Sequence, residues 1–99
     1  MLHIINKSPF QTSTLDSCLA LAQPGSALLL IEDGVYAATA GSAAEARLRQ
    51  ACVTLKVFAL QPDMDARGVT TKLIDGITLI DYAGFVDLAV EYPTSHSWL

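Results

Sequence analysis

The chain has 99 residues, 52% of them hydrophobic and 16% charged, with a formal net charge of −4. That length makes one small domain, 1–99, near the lower end of the size a single core supports, and an average soluble domain is roughly 25% charged. The acidic balance excludes direct nucleic-acid binding as the main task, because phosphate neutralisation needs clustered Lys and Arg and the six here are scattered. Arg47 and Arg49 lie close together, but two residues apart on a helix they face different ways and read as solvated surface. No segment reads as a signal peptide, and no apolar run approaches the roughly 20 residues needed to cross a bilayer. Two cysteines without a CxxC motif predict a reducing cytoplasm. With so few polar residues for so much surface, part of the exterior is expected to lie against other subunits.

In chain order, Leu2-His3-Ile4-Ile5 predicts a first strand, ended by the loop Asn6-Lys7-Ser8-Pro9-Phe10. Ser13 and Asp16 form a capping-box pattern, and Leu15, Cys18, Leu19 and Ala22 follow at helical spacing up to Pro24-Gly25. Ala27 to Ile31 is a short apolar run closed by Glu32-Asp33-Gly34, the pattern of a strand buried on both faces. Asp33 to Thr39 has room for a helical turn. Ser42 and Glu45 form a second capping-box pattern, with Leu48, Ala51 and Cys52 as the apolar stripe of a second helix. Leu55–Leu60 reads as a third strand, and Asp63–Gly68 as a short helix with Asp in its first turn and Gly at its end.

Ile77–Ile80 repeats the earlier theme, an apolar run that meets an acid, Asp81. A last helix over about Tyr82–Glu91 follows, capped by Asp81. Gly84 inside it costs on the order of 1 kcal/mol relative to Ala, which points to close packing or a late helix start. Its residues are apolar over most of the circumference, leaving Asp87 and Glu91 as a polar stripe, so the helix is expected to be buried on more than one side. Pro93 ends it and leaves the tail Thr94–Leu99. Alternating strands and helices predict an α/β fold: a small, mostly parallel sheet of about four strands with helices on both faces. In such sheets ligands meet the carboxyl ends of the strands, where Lys7, Asp33, Tyr36 and Asp81 fall.

No dinucleotide fingerprint, P-loop, nucleophile elbow or zinc spacing is present. His3 and His96 have no ligand-type neighbours in sequence, so neither a metal nor a cofactor is expected. Cys18 and Cys52 are the strong nucleophiles by residue type, yet both sit where small buried hydrophobes sit. Cys18 lies on the apolar stripe near mid-helix, and Cys52 at a helix end whose dipole disfavours a thiolate. Cys18 also belongs to a more polar stripe, so it is the candidate catalytic thiol if there is one. Glu32 and Asp33 could pair for acid/base work, although adjacent residues at a strand end point apart and serve more often as turn or cap. Lys7 and Ser8 could hold an anion or simply form a solvated loop. Phe85, Tyr92 and Trp98 are the candidate interface aromatics.

Several of these stretches together resemble the TusB/DsrH family of sulfur-relay subunits. They are Leu2-His3, Asn6–Phe10, Leu29-Leu30 with Glu32–Ala38, Val57–Leu60, Asp63 with Asp65–Gly68, Ile80–Leu88 and the closing Trp98, in the family's order and spanning essentially the whole chain. The resemblance implies a DsrE/DsrF/DsrH-like α/β subunit of a hetero-hexamer, with TusC/DsrF-like and TusD/DsrE-like partners and a downstream sulfur acceptor protein. It implies an accessory role in relaying persulfide sulfur toward 2-thiolation of the tRNA wobble uridine, the main sulfur-carrying cysteine belonging to the TusD/DsrE-type partner. Some members carry a cysteine matching Cys18, which leaves open a DsrH-type role in sulfur oxidation. A small enzyme using Cys18 as its own nucleophile, and a purely structural partner without sulfur chemistry, are the rival readings.

Overall fold

In the computed structural model, which describes residues 1–98, every strand begins on one edge of a single parallel sheet and ends on the other. The strands are β1 (Leu2–Ile5), β2 (Ala27–Leu30), β3 (Lys56–Leu60), β4 (Thr78–Ile80) and β5 (Ser95–Trp98). The helices are α1 (Thr14–Leu21), α2 (Glu45–Thr54), α3 (Gln61–Ala66) and α4 (Tyr82–Glu91), with 3₁₀ segments at Glu32–Ala38 and Thr70–Lys72. The sheet order is β4-β3-β2-β1-β5. Five strands replace the expected four, because the tail after Pro93 docks in parallel beside β1, pairing Leu2 with Ser95 and Ile5 with Trp98.

The order explains how the helices divide between the faces. From β1 to β4 each crossover moves one strand in the same direction, and right-handed connections then put α1, α2 and α3 on one face. The last connection reverses direction and carries α4 back across the sheet on the other face. Alternation along the strands follows suit. Ile5, Leu28, Leu30, Val57 and Ala59 point into the larger core with Leu15, Cys18, Leu48 and Met64 from the helices. Leu2, Ala27 and Leu29 point the other way, against Leu88, with Ile4, Phe58, Phe85 and Tyr92 at the margin.

Local signals held unevenly. Asp81 caps α4 as the sequence predicts, accepting a hydrogen bond from the Gly84 N–H at 2.8 Å. Gly84 is there for close packing, since a Cβ would lie 2.9 Å from the Ile80 Cβ. Neither capping box forms as expected. Ser13 has a non-extended backbone and makes no side-chain cap, and Asp16 pairs with Arg47 of α2 instead of reaching back. Arg47 is therefore an inter-helix tie and not simply solvated surface. At α2, Glu45 does reach back, but to the Gly41 N–H, one residue earlier than the pattern requires, while Ser42 Oγ accepts from the Ala44 N–H. The segment after β2 becomes a 3₁₀ helix with Gly34, Val35, Ala37 and Ala38 buried.

The expectation for α4 is met on one side only. Leu88 is buried and Phe85 and Tyr92 are half-buried on the sheet, but Tyr82, Val86 and Val90 are 62%, 62% and 77% exposed. The free chain thus shows an apolar helix flank to solvent. No helix among the described residues is long and apolar enough to cross a membrane.

Candidate functional site

The carboxyl edge of the sheet is organised by the turn after β2. The Ile31 N–H still bonds the Ile5 carbonyl at 3.0 Å, continuing the ladder one step, and then Glu32 turns the chain with φ +49°. A non-glycine residue held in that left-handed region is strained and needs outside support. Asp63 of α3 supplies it, its Oδ2 accepting from the Glu32 N–H at 2.7 Å. Gly34 then passes so close to β1 that a Cβ would lie 2.3 Å from the Ile5 carbonyl oxygen. Only glycine fits there.

Arg67, at the end of α3, locks the same turn. Its Nε and Nη2 donate to Asp33 Oδ1 at 3.0 and 2.9 Å, and its Nη1 donates to the Asp63 carbonyl at 3.2 Å. Asn6, after β1, adds a longer contact from Nδ2 to Glu32 Oε2 at 3.4 Å. A cluster of Asn6, Glu32, Asp33, Asp63 and Arg67 therefore joins the ends of β1, β2 and β3. Of the strand-end residues singled out from sequence, Asp33 is held in the ion pair with Arg67 and Asp81 is the α4 cap. Lys7 is exposed and Tyr36 half-buried. Asp63 and Arg67 were missed as site residues. Their signal was present, four residues apart on a short helix at the end of the strand beside β2.

The thiols lie away from this edge. Cys18 is 0% exposed beneath α1, within the larger core, and burial pushes its pKa up to about 11. A thiol that stays protonated and enclosed is not a nucleophile as it stands. Cys52 is half-buried near the end of α2, toward the opposite, amino edge of the sheet. Burial raises its pKa as well, and nearby Arg49 only partly offsets the effect.

The interface aromatics also find partners within the chain. Phe85 and Tyr92 pack on the second core, and Trp98 is half-buried against the first. The Trp98 indole N–H donates to His3 Nδ1 at 3.1 Å, and its ring stacks on His96 with centroids 4.4 Å apart. His3 and His96, with no ligand-type neighbour in sequence, are thus register partners on adjacent strands. Even so, no group of three or more metal-ligating side chains forms among the described residues. A groove of about 380 Å³ runs between α1 and α2, lined by Leu19, Ala22, Ala51 and Leu55 with Asp16 and Arg47 at its rim.

A covered parallel sheet with a built carboxyl edge places the chain among small open-sheet α/β proteins. Solved structures similar to it share this architecture. The ychN protein from E. coli superposes with a TM-score of 0.83 at 19% identity, covering 97% of each chain. A protein of unknown function, MTH1491 from Methanobacterium thermoautotrophicum, has a TM-score of 0.73 at 13% identity, covering 97% of this chain and 95% of that one. These likenesses establish the fold. The sequence comparisons go further. The model of the family described as DsrH like protein matches residues 7–95. Protein TusB of Pectobacterium parmentieri and Protein TusB of Escherichia coli K12 are each 42% identical over 98 residues, covering 99% of this chain and 100% of theirs. The chain belongs to the TusB/DsrH family.

Proposed function

We propose that this chain is the TusB-type subunit of a cytoplasmic sulfur-relay complex that passes persulfide sulfur toward 2-thiolation of the tRNA wobble uridine. The observation that carries the reading is the full-length 42% identity to proteins called TusB. The enclosure of Cys18 fits an accessory role. With Cys18 at 0% exposure and its pKa near 11, the persulfide would travel on a cysteine of a TusD/DsrE-like partner. This subunit would supply surface. The apolar flank of α4 (Tyr82, Val86, Val90) suits burial against TusC/DsrF-like and TusD/DsrE-like neighbours in a hetero-hexamer. The rigid carboxyl edge, with Lys7 and Tyr36 beside the Asp33–Arg67 pair, would shape the place where a sulfur-bearing cysteine or the downstream acceptor protein approaches. A net charge of −4 leaves tRNA contact to other components.

Deleting the gene and measuring 2-thiolated wobble uridine by mass spectrometry of digested tRNA tests the proposal. A sharp fall, restored by the wild-type chain and equally by Cys18→Ala, is expected. Unchanged thiolation with impaired oxidation of reduced sulfur would move the chain to the sulfur-oxidation branch. Loss of thiolation that Cys18→Ala fails to restore, with the complex still assembled, would make Cys18 a sulfur carrier.

A further inference from the structure

We propose that the hydrogen bond between Trp98 and His3 is a proton-gated latch on the C-terminal strand. A proton on His3 Nδ1 removes the acceptor and releases Ser95–Trp98 from the sheet. The rest of the strand's attachment is a single backbone ladder with β1 and the packing of the Trp98 ring on the core. The strand is four residues long, lies at the sheet edge, and pairs with β1 alone among the described strands. Ser95, His96 and Ser97 are exposed, so Trp98 is the one residue of β5 that reaches the core.

The geometry requires one protonation state. An indole N–H only donates, so His3 Nδ1 must present its lone pair and carry its proton on Nε2. Protonating Nδ1 sets two N–H groups against each other at 3.1 Å. His3 is 5% exposed, so water cannot easily replace the lost bond while the strand stays docked. Among the described residues, the charges that act on His3 are both positive and none neutralises the imidazolium. On β5 the facing group is His96, with ring centroids 6.5 Å apart, and the positive amino terminus precedes β1. On β2 the register partner is Leu28, and α1 turns inward Leu15 and the protonated Cys18 thiol.

Burial, then His96, then the amino terminus hold the His3 pKa below its ordinary 6.5. The sign follows. The released strand leaves His3 free to bind a proton near its ordinary pKa, whereas the docked strand resists it, so acid favours release. The latch is fully closed above about pH 6.5 and is lost as pH falls through the lower docked value. Release bares the backbone donors and acceptors of β1, an edge able to pair with another chain.

Trp98 is the only tryptophan, so its indole N–H gives one unique signal in a ¹⁵N spectrum. This full-length chain alone is labelled, together with whatever subunits keep it soluble, and titrated from about pH 8 to about pH 5. The indole should move from a downfield, exchange-protected position with a midpoint below 6.5. Between pH 6.5 and that midpoint protection should fall by at most about tenfold per pH unit, as linkage to a single proton requires. His3→Gln should abolish the titration, and His96→Gln should keep it and raise the midpoint by removing the repulsive neighbour. A titration that persists in His3→Gln, disappears in His96→Gln, or coincides with loss of the whole amide spectrum overturns the latch. So does an indole that does not titrate.

Discussion

Gly34 tolerates a side chain less than any other glycine of this chain with a close neighbour. A Cβ there would meet the Ile5 carbonyl oxygen at 2.3 Å, and that oxygen belongs to backbone anchored in the sheet while Gly34 is fixed in the 3₁₀ turn. Gly34→Ala should therefore destabilise by about 1–3 kcal/mol or more, the usual cost of overpacking where neither side can rotate away. Denaturant unfolding should show a lower midpoint with an unchanged slope. Cys18 is instead a question of access. In the folded chain at about pH 8, iodoacetamide should modify Cys52 first and reach Cys18 only at the rate of opening, because the Cys18 thiol is both enclosed and protonated. The pH dependence has a definite sign. The unfolded thiol ionises near 9.0 and the folded one near about 11, so its contribution to stability is complete below pH 9.0 and is lost as pH rises through about 11. Rapid native labelling of Cys18 would count against its structural reading.

At the scale of elements, α4 carries the sharpest contrast. One side is occupied: Leu88 is buried, Phe85 and Tyr92 pack on the sheet, and Asp81 fixes the start. The other side presents Tyr82, Val86 and Val90 to solvent, spaced four residues apart as one continuous stripe. Val86→Glu and Val90→Glu alter exposed positions and should change the stability of the free chain by no more than about 0.5 kcal/mol. If the stripe is the docking face, either change should prevent co-purification with the partner subunits while leaving the circular dichroism of the chain unaltered. Normal assembly of the double variant would place the interface elsewhere. The α4 stripe was visible as an excess of apolar residues. Which part of it stayed free depended on where the sheet lay, and helical spacing carries no such information.

At the scale of the whole molecule, the chain by itself determined its elements. Period-two and period-3.6 patterns are local, so short apolar runs marked β1 to β4, and the apolar stripes and Asp81 marked the helices. Their alternation was enough to imply a parallel sheet covered on both faces, because right-handed crossovers leave few other arrangements. Tertiary structure alone decided the rest. Ser95–Trp98 is polar and short, with no strand pattern of its own, and becomes β5 because β1 has an open edge beside it. The site followed the same rule. Asp33 and Arg67 are 34 residues apart and meet because β2 and β3 are neighbours, and Trp98 reaches His3 across 95 residues because the last crossover returns past β1. Such contacts are set by which strands lie side by side. That choice is made by the summed packing of both cores, and no spacing within a single segment encodes it.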